Sequence, residues 1–286
     1  MAISAAMVKE LREKTGAGMM DCQRALAEAN GDMEEAVKVL RKKGLSAAAK
    51  KAGRTAKDGL VTIAVIEDGR RGGIVELNCE TDFVARTEQY RAFAQALADQ
   101  VAADGVADVD KLKATRYAAD PLHTVGEVVT SQIATIGENI LLSRVGFLAA
   151  GAGTRVGSYL HMGGKIGVLV EISEAADDET VKDVAMQIAA AEPRWVAPKD
   201  VPAEAVNEER EIAKAQAAAS GKPAQVVEKI AEGKVAKFYE QVCLVDQAFV
   251  KDPAKKVSAV LAERGNVAVK RFLRFKLGEG AVADEK

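Results

Sequence analysis

Two apolar runs joined by a polar turn mark the first core region of the chain. "LVTIAVI" and "GGIVELNC", with "EDGRRG" between them, predict a β-hairpin. Apolar positions that recur every four residues from about Thr87 predict a helix after the hairpin. The later run "NILLSRVGFL" predicts a further strand.

The second half of the chain repeats this plan. "VGSYLHM" and "IGVLVEI" predict a second hairpin, a helix through Val184 follows, and "NVAVKRFLRFKL" predicts the final strand. In each half an arginine follows an asparagine by five residues, and the pairs are Asn139 with Arg144 and Asn266 with Arg271. Units of hairpin, helix and strand predict an α+β fold of two duplicated subdomains, with antiparallel sheets and helices on one side.

The first part of the chain, residues 4–43, predicts three short helices. The second helix buries Cys22 and ends at Gly31, a residue suited to a helix C-terminus. Asp32 is the expected N-cap of the third helix, with Glu35 three positions later. Because about forty residues enclose little apolar surface, we expect a small compact module.

A basic stretch, residues 41–57, follows this module. It carries seven lysines and arginines among alanines and glycines. Such a stretch is either a solvated linker or an arm that faces RNA or the ribosome. Because it lacks the interleaved aromatic residues of a base-stacking surface, we interpret it as a linker.

Residues 201–242 predict an inserted helical hairpin in the second subdomain. The two helices are broken at "SGKP", with Gly221 at the end of the first helix and Pro223 at the start of the second. The hairpin is expected to form an antiparallel coiled coil. Its role stays open between packing on the domain and contact with a partner or a second copy.

Composition narrows the class of protein. The chain has 286 residues, 48% of them hydrophobic, and a formal net charge of −2, which is not the basic excess of a nucleic-acid-binding surface. No apolar run approaches the roughly 20 residues of a membrane span, and the N-terminus lacks a secretory pattern. The three widely spaced cysteines (Cys22, Cys79 and Cys243) indicate reduced thiols and a cytoplasmic location.

The motifs of common enzymes are missing from the sequence. "SGKP" has proline where a phosphate-binding loop has a hydroxyl residue, and no G-x-S-x-G occurs. The two histidines, His123 and His161, lie far from any cysteine, so no zinc pattern is present. We therefore predict no catalytic residue, no metal site and no cofactor. The alternative of a hydrolase predicts that the isolated chain turns over a substrate.

"CETDFVAR", residues 79–86, raises a question about Phe83. Only 4% of the residues are aromatic, yet one stands next to Asp82 where the strand pattern ends. The ring either packs against the helix that starts near Thr87 or is presented to a partner. The adjacent Met19 and Met20 pose the same choice, since both cannot face inward on one helix.

Four motifs resemble the bacterial elongation factor Ts family over almost the whole chain and in the family's order. They are "VKELREKTGAGMMDCQRAL", "ELNCETDFVAR", "SYLHMGGKIGVLVEI" and "RFLRFKLGEG". The resemblance implies a guanine-nucleotide exchange factor for elongation factor Tu. It also implies an N-terminal module like a ubiquitin-associated (UBA) domain, a core of two related subdomains, and a helical hairpin that serves in a homodimer or a two-to-two complex.

The resemblance also implies the site residues. The family's motif at Thr81, Asp82, Phe83 and Val84 is associated with displacing Mg²⁺ from the partner's nucleotide site. Met19, Met20 and His161 fall in motifs that contact the partner. No direct contact with nucleic acid or membrane is implied.

The expected domains follow from these assignments. They are 1–55 for the UBA-like module with the basic linker, 56–148 for the first subdomain, 149–278 for the second subdomain with its hairpin, and 279–286 for a short tail. Some family members continue into a further C-terminal helix that touches the partner. "AVADEK" is too short for a stable helix, so that contact stays an open question.

Two other functions remain as alternatives. A binding module that uses only the first forty residues would depend on Met19 and Met20 but not on Phe83. A protein that binds RNA through residues 41–57 would do so with a steep dependence on salt.

Overall fold

The computed structural model describes residues 3–219 and 223–279. Three helices come first: α1 (Ala5–Thr15), α2 (Met19–Glu28) and α3 (Met33–Lys51). Asp32 caps α3 by accepting a hydrogen bond from the Glu35 backbone N–H at 2.9 Å, as predicted. The helices enclose a small core of Val8, Leu11, Cys22, Ala25, Leu26 and Ala36.

Helix α3 is longer than the sequence pattern indicated, and the interpretation of residues 41–51 as a linker is wrong. This part of α3 packs on α7 (Val125–Ile136), where Arg41 pairs with Glu127 and Lys51 Nζ donates to the Ile133 carbonyl at 3.3 Å. Gly44 has no side chain and so lets α3 approach α7 closely; a Cβ there would lie 3.6 Å from that of Ala134. The basic side chains of residues 41–51 therefore belong to a helix that packs on the core.

The first half of the core is an antiparallel sheet covered by helices. Strands β1 (Asp58–Ile66), β2 (Arg71–Cys79) and β5 (Leu141–Ala149) pair in the order β1-β2-β5. Between β2 and β5 lie α4 (Asp82–Ala85), α5 (Glu88–Asp104), α6 (Val109–Ala114), the short strands β3 (Arg116–Tyr117) and β4 (Asp120–Thr124), and α7. Thr87 caps α5 through the Tyr90 N–H, so this helix begins where the sequence predicts.

The second half has the same plan. Strands β6 (Thr154–His161), β7 (Ile166–Ser173) and β10 (Val269–Lys276) form the sheet, with β7 in the middle. Its helices and short strands are α8 (Asp178–Ala191), β8 (Ala248–Phe249), β9 (Asp252–Lys256) and α11 (Val257–Glu263). The predicted α+β class with antiparallel sheets is confirmed.

The likeness of the halves extends to side chains. Gln100 on α5 donates to the Arg116 carbonyl and accepts from the Ala118 N–H, at 2.7 and 3.0 Å. Gln187 on α8 makes the same pair of bonds to the Ala248 carbonyl and the Val250 N–H, at 3.2 and 2.8 Å. In each half a buried amide thus ties the main helix to the short two-stranded ribbon.

The two sheets pack on each other, so the core has four layers. Helices cover the outer face of each sheet, and the inner faces share a cluster of Val61, Ile63, Ile74, Leu148, Val156, Leu169 and Phe275. Strands buried on both faces need apolar residues at successive positions. This explains why β1 and β7 read as continuous apolar runs.

The predicted hairpin segment forms two helices, α9 (Ala203–Ala218) and α10 (Ala224–Val242), inserted between α8 and β8. They pack together through Ala213, Ala217, Ala231 and Val235, and Lys214 pairs with Glu228 across them at 2.8 Å. Gly221 and residues 280–286 lie outside the described residues. No helix in the described part of the chain is long and apolar enough to cross a membrane.

Candidate functional site

Residues 81–84, which we call the corner motif, follow the buried end of β2. Thr81 has an extended backbone and caps the one-turn helix α4, its hydroxyl accepting from the Val84 N–H at 3.4 Å. The buried Ala85 anchors the end of α4, and Val84 packs against the first core. The motif is thus a tight corner with an apolar underside.

Phe83 points away from that underside. Its side chain is 79% exposed, whereas Phe93 on the neighbouring α5 is 5% exposed. The alternative in which Phe83 packs against the helix that starts after Thr87 is therefore wrong. A phenyl ring that is largely exposed on an ordered turn contributes little to its own fold and is suited to burial in a partner.

Asp82 stands beside the ring with a partner on its own helix turn. Its carboxylate accepts from the Arg86 guanidinium at 2.7 Å, and both groups are solvent-accessible. Such an exposed pair is weak, so Asp82 remains free to exchange Arg86 for another positive group.

The loop between α7 and β5 fixes the corner motif from the side. The carboxylate of Glu138 accepts from the backbone N–H groups of Glu80 and Thr81 at 3.1 and 3.0 Å, and from the Thr81 hydroxyl at 2.6 Å. In return, Glu80 accepts from the Asn139 N–H at 2.7 Å. Glu138 lies 57 residues from Thr81 and follows the helix stop at Gly137, so no local sequence pattern connects it with the motif.

A thiol and a phenol lie beneath the corner motif. The buried Cys79 donates its S–H to the Thr81 carbonyl at 3.1 Å, and Tyr90 donates its hydroxyl to the Leu77 carbonyl at 2.8 Å. Burial raises the pKa of Cys79 to about 11 and also raises the pKa of Tyr90. Both groups are therefore neutral donors near pH 7.

The first turn of α2 presents the two adjacent methionines. Met19 is 47% exposed and Met20 is 66% exposed, while Cys22 on the same helix is buried. The expectation that at least one methionine faces solvent is confirmed. Flexible thioether side chains make an adaptable apolar surface.

His161 lies at the end of β6, where the chain turns towards β7. It is exposed, and its Nδ1 lies 3.0 Å from the Tyr159 hydroxyl. The neighbouring Leu160 and Met162 are also exposed, and Met162 has a φ of 50°. These two apolar side chains lie within the quoted motif, but the sequence pattern did not single them out because alternation along β6 gives no measure of exposure.

The β6–β7 turn and the corner motif lie at the same end of the sheets. The Gly164 carbonyl accepts from the Val61 N–H at 2.7 Å, and Lys165 Nζ is 3.5 Å from the Asp58 carboxylate. Asp58 in turn pairs with Cys79 in the sheet, two residues before Thr81. Met19 and Met20 belong to the separate N-terminal core, joined to this end through α3 and α7.

The described residues contain no group of three or more histidine, cysteine or acidic side chains arranged to hold a metal ion. What the site offers is an exposed ring on backbone fixed by hydrogen bonds, with further exposed apolar side chains at the same end of the sheets.

Comparison with known proteins gives the same family in each case. A family model described as "Elongation factor TS" matches residues 80–279. A curated "Elongation factor Ts" of Clostridium perfringens (strain SM101) is 48% identical over 293 aligned positions, covering 99% of this chain and 96% of the relative. Proteins of the same name from Clostridium novyi and Trichlorobacter lovleyi are each 45% identical, covering 99% and 98% of this chain and 95% and 94% of their own.

Proposed function

The chain belongs to the elongation factor Ts family, and from this we propose how it acts as the guanine-nucleotide exchange factor for elongation factor Tu in translation elongation. Its corner motif inserts the Phe83 ring into the partner and thereby loosens the Mg²⁺ at the partner's nucleotide site. GDP leaves, and GTP later displaces the factor. The chain itself carries out no covalent chemistry.

The observation that carries this mechanism is the exposure of Phe83 on a fixed turn. The ring is 79% exposed, while Thr81 and Val84 on either side are held by hydrogen bonds and core contacts. Because the backbone that carries the ring is already held by hydrogen bonds, little backbone freedom is lost when a partner buries Phe83. Phe83 therefore has the properties of an interface hot spot.

The physical basis of GDP release is the charge of its phosphates. Mg²⁺ bridges and neutralises phosphate oxygens at nucleotide sites. A phenyl ring that enters beside the metal, with Asp82 next to it, shifts the groups that hold the ion without contacting the nucleotide. Once the ion is lost, phosphate charge is uncompensated and GDP dissociates faster.

Thermodynamic linkage sets the order of events. If binding of the exchange protein lowers the partner's affinity for GDP by a given ratio, then bound GDP lowers the partner's affinity for the exchange protein by the same ratio. The factor therefore binds the nucleotide-free partner most tightly, and incoming GTP expels it. This scheme needs no nucleotide site on the present chain.

Three further residues extend the proposed interface. The exposed Met19 and Met20 bind the partner through the N-terminal module, which we propose is UBA-like, and His161 binds it at the β6–β7 turn with Leu160 and Met162 beside it. These contacts supply affinity, whereas Phe83 supplies the displacement of the metal.

The larger assembly is likewise proposed from membership of the family. The α9–α10 hairpin is a coiled coil that joins two copies in a homodimer or a two-to-two complex, and its exposed Ile212 and Val226 are suited to that contact.

The domain boundaries 1–55, 56–148, 149–278 and 279–286 remain a proposal, as does action in the cytoplasm.

The test is the release of labelled GDP from purified elongation factor Tu at millimolar Mg²⁺, with wild-type protein and with Phe83→Ala. We expect this variant to raise the barrier of the catalysed step by about 2 to 4 kcal/mol, as for an interface hot spot. Its free energy of unfolding should change by less than about 0.5 kcal/mol, because the ring is exposed. Phe83→Leu should retain part of the activity.

The matched control is Leu122→Ala. Leu122 is 81% exposed on β4 of the same half and lies outside the corner motif, so its loss should leave GDP release unchanged. A double Met19→Ser, Met20→Ser variant should raise the half-saturating concentration and keep the saturating rate. Wild-type rates for Phe83→Ala would refute the mechanism, and no acceleration by the wild-type protein would refute exchange itself.

A further inference from the structure

We propose that Glu138 is the positioning residue of the corner motif: its carboxylate holds Thr81 so that Phe83 is aimed outward before the partner binds. This inference rests on the proposed function of Phe83. Glu138 acts through the backbone of the motif and does not itself touch the partner's nucleotide site.

The geometry points to one carboxylate that fixes three donors. One oxygen of Glu138 accepts from the N–H groups of Glu80 and Thr81, and the other accepts from the Thr81 hydroxyl at 2.6 Å. Hydrogen bonds to an ionised carboxylate are stronger than those between neutral groups. The peptide that leads into Phe83 is therefore held at its N–H and at its side chain together.

Such support is needed because α4 is too short to be stable on its own. It has four residues, Asp82–Ala85, which is less than the length at which a helix is stable alone. Its cap is the Thr81 hydroxyl, which accepts from the Val84 N–H at 3.4 Å while donating to Glu138. Glu138 thus orients the capping oxygen and, through it, the turn that carries Phe83.

The position of Glu138 is itself fixed by the fold. It follows Gly137, which ends α7 with a φ of 89°, a conformation that glycine adopts without strain. The next residue, Asn139, is buried; its N–H donates to the Glu80 carboxylate and its amide donates to the Arg54 carbonyl at 2.8 Å. Two glutamates, each accepting from the other's turn, therefore join the turn after β2 to the turn before β5 through four hydrogen bonds.

A positioning role differs from general structural support in what it predicts. If Glu138 aims the ring, its removal lowers the rate at which bound factor displaces the metal, not the affinity of the other contacts. The defect should vanish where no metal has to be displaced. It should also vanish when the ring is already absent.

The experiment compares wild type, Glu138→Ala, Glu138→Gln, Phe83→Ala and the double variant Glu138→Ala, Phe83→Ala in release of labelled GDP from elongation factor Tu. At millimolar Mg²⁺ we expect Glu138→Ala to lower the saturating rate at least about tenfold, which corresponds to the low end of the worth of one hydrogen bond to a charged group. Glu138→Gln should fall between, since the amide keeps one acceptor oxygen. The half-saturating concentration should change by less than about threefold.

Two arms separate positioning from misfolding. In EDTA, Glu138→Ala should release GDP at the wild-type rate, and at millimolar Mg²⁺ the double variant should be no slower than Phe83→Ala alone. Asp177→Ala is the matched control: this carboxylate also accepts from a backbone N–H, that of Thr180 at 2.7 Å, but caps α8 in the other half. It should lose stability without losing exchange rate.

Hydrogen exchange of the free protein supplies a readout that needs no partner. The amides of Glu80 and Thr81 should exchange at least about tenfold faster in Glu138→Ala, because both lose their acceptor. Thr81→Val, which loses the hydroxyl that donates to Glu138 and caps α4, should resemble Glu138→Ala in GDP release.

The outcomes are distinguishable. A slow Phe83→Ala beside a wild-type Glu138→Ala would overturn this inference alone, as would a Glu138→Ala defect that persists in EDTA or adds to that of Phe83→Ala. A wild-type Phe83→Ala would overturn the proposed function, and the inference with it.

Discussion

Cys79 shows how a single buried side chain supports the site. It donates its S–H to the Thr81 carbonyl and has no exposed surface. Burial raises its pKa from 9.0 to about 11, and it does the same for Cys243. Because the thiolate is the reactive form, both thiols are expected to be inert towards alkylating reagents in the native protein near pH 7.

The raised pKa gives a prediction for alkaline pH. In the unfolded chain Cys79 ionises near pH 9, but in the folded protein it stays protonated until about pH 11. The raised pKa therefore contributes fully to stability below pH 9, and this contribution is lost progressively as the pH rises from about 9 to about 11. Between pH 8.5 and 10.5 wild type should lose on the order of 1 to 2 kcal/mol more than Cys79→Ala. Urea unfolding of both proteins across this range measures the difference, and parallel curves would contradict it.

Side-chain exposure could not be predicted from residue type. Phe83 and Phe93 are ten positions apart, yet the first is exposed and the second is buried. Phe93 belongs to a four-residue apolar repeat, which indicates its face of α5. Phe83 stands on a single turn where no periodicity exists, so only the surrounding motif suggested its role.

Helix α3 shows what element-level patterns miss. Its N-terminus was predictable because Asp32 caps it within three residues. Its length was not, because Gly44 resembles a helix stop, whereas the contact that stabilises the rest of the helix is with α7, far along the chain. Tertiary packing, not propensity, extends a helix through such a segment.

Gly44 provides a test of this packing. A Cβ at residue 44 would meet the Ala134 Cβ at 3.6 Å, an ordinary van der Waals contact, and alanine favours the helix. We expect Gly44→Ala to raise the free energy of unfolding by about 0.5 to 1 kcal/mol, measured in urea.

The contrasting variant is Gly73→Ala on β2. There a Cβ would lie 2.5 Å from the Ala98 carbonyl oxygen and 2.6 Å from the Ala102 nitrogen of α5, so the helix must move. The expected loss is about 1 to 3 kcal/mol. Destabilisation by Gly44→Ala would show that α3 does not dock on α7 as described.

At the scale of the whole molecule, two matching clamps join the halves. The buried Glu76 accepts from Arg144 Nε at 2.6 Å and from the Gly278 N–H at 2.8 Å, while Arg144 donates to the Lys276 carbonyl at 2.8 Å. A carboxylate and an arginine of the first half thus hold the backbone at the end of β10.

The second clamp repeats the first with the halves exchanged. Glu171 accepts from Arg271 Nε at 2.7 Å and from the Gly151 N–H at 2.9 Å, and Arg271 donates to the Ala149 carbonyl at 2.9 Å. The arginines that follow Asn139 and Asn266 by five residues therefore have equivalent roles. Each half fixes the closing strand of the other.

The clamp at Glu171 predicts a dependence on acid pH. Burial opposes its ionisation, but the Gly151 N–H, Arg271 and the Thr154 hydroxyl outweigh burial and hold the pKa of Glu171 below 4.5. Its contribution is therefore complete above about pH 4.5 and lost as the pH falls through the lower folded-state pKa.

Glu171→Gln should cost about 1 to 2 kcal/mol at pH 7, since the half-exposed Arg271 is screened by solvent. The difference from wild type should shrink as the pH falls below 4.5. Denaturant unfolding at pH 7, 5 and 3 measures this, with exposed Glu174→Gln as control. A constant difference across the range would contradict the assignment.

The sequence alone determined the α+β class, most element positions and the family, because caps, turns and apolar periods act between residues a few positions apart. Only the tertiary structure decided which side of the corner motif faces solvent, how far α3 extends, and that Glu138 holds Thr81. Those facts depend on partners distant in the chain, 57 residues for Glu138 and Thr81 and 202 for Glu76 and Gly278. Hydrogen bonds over such separations leave no period in a sequence, and exposure depends on everything that packs nearby.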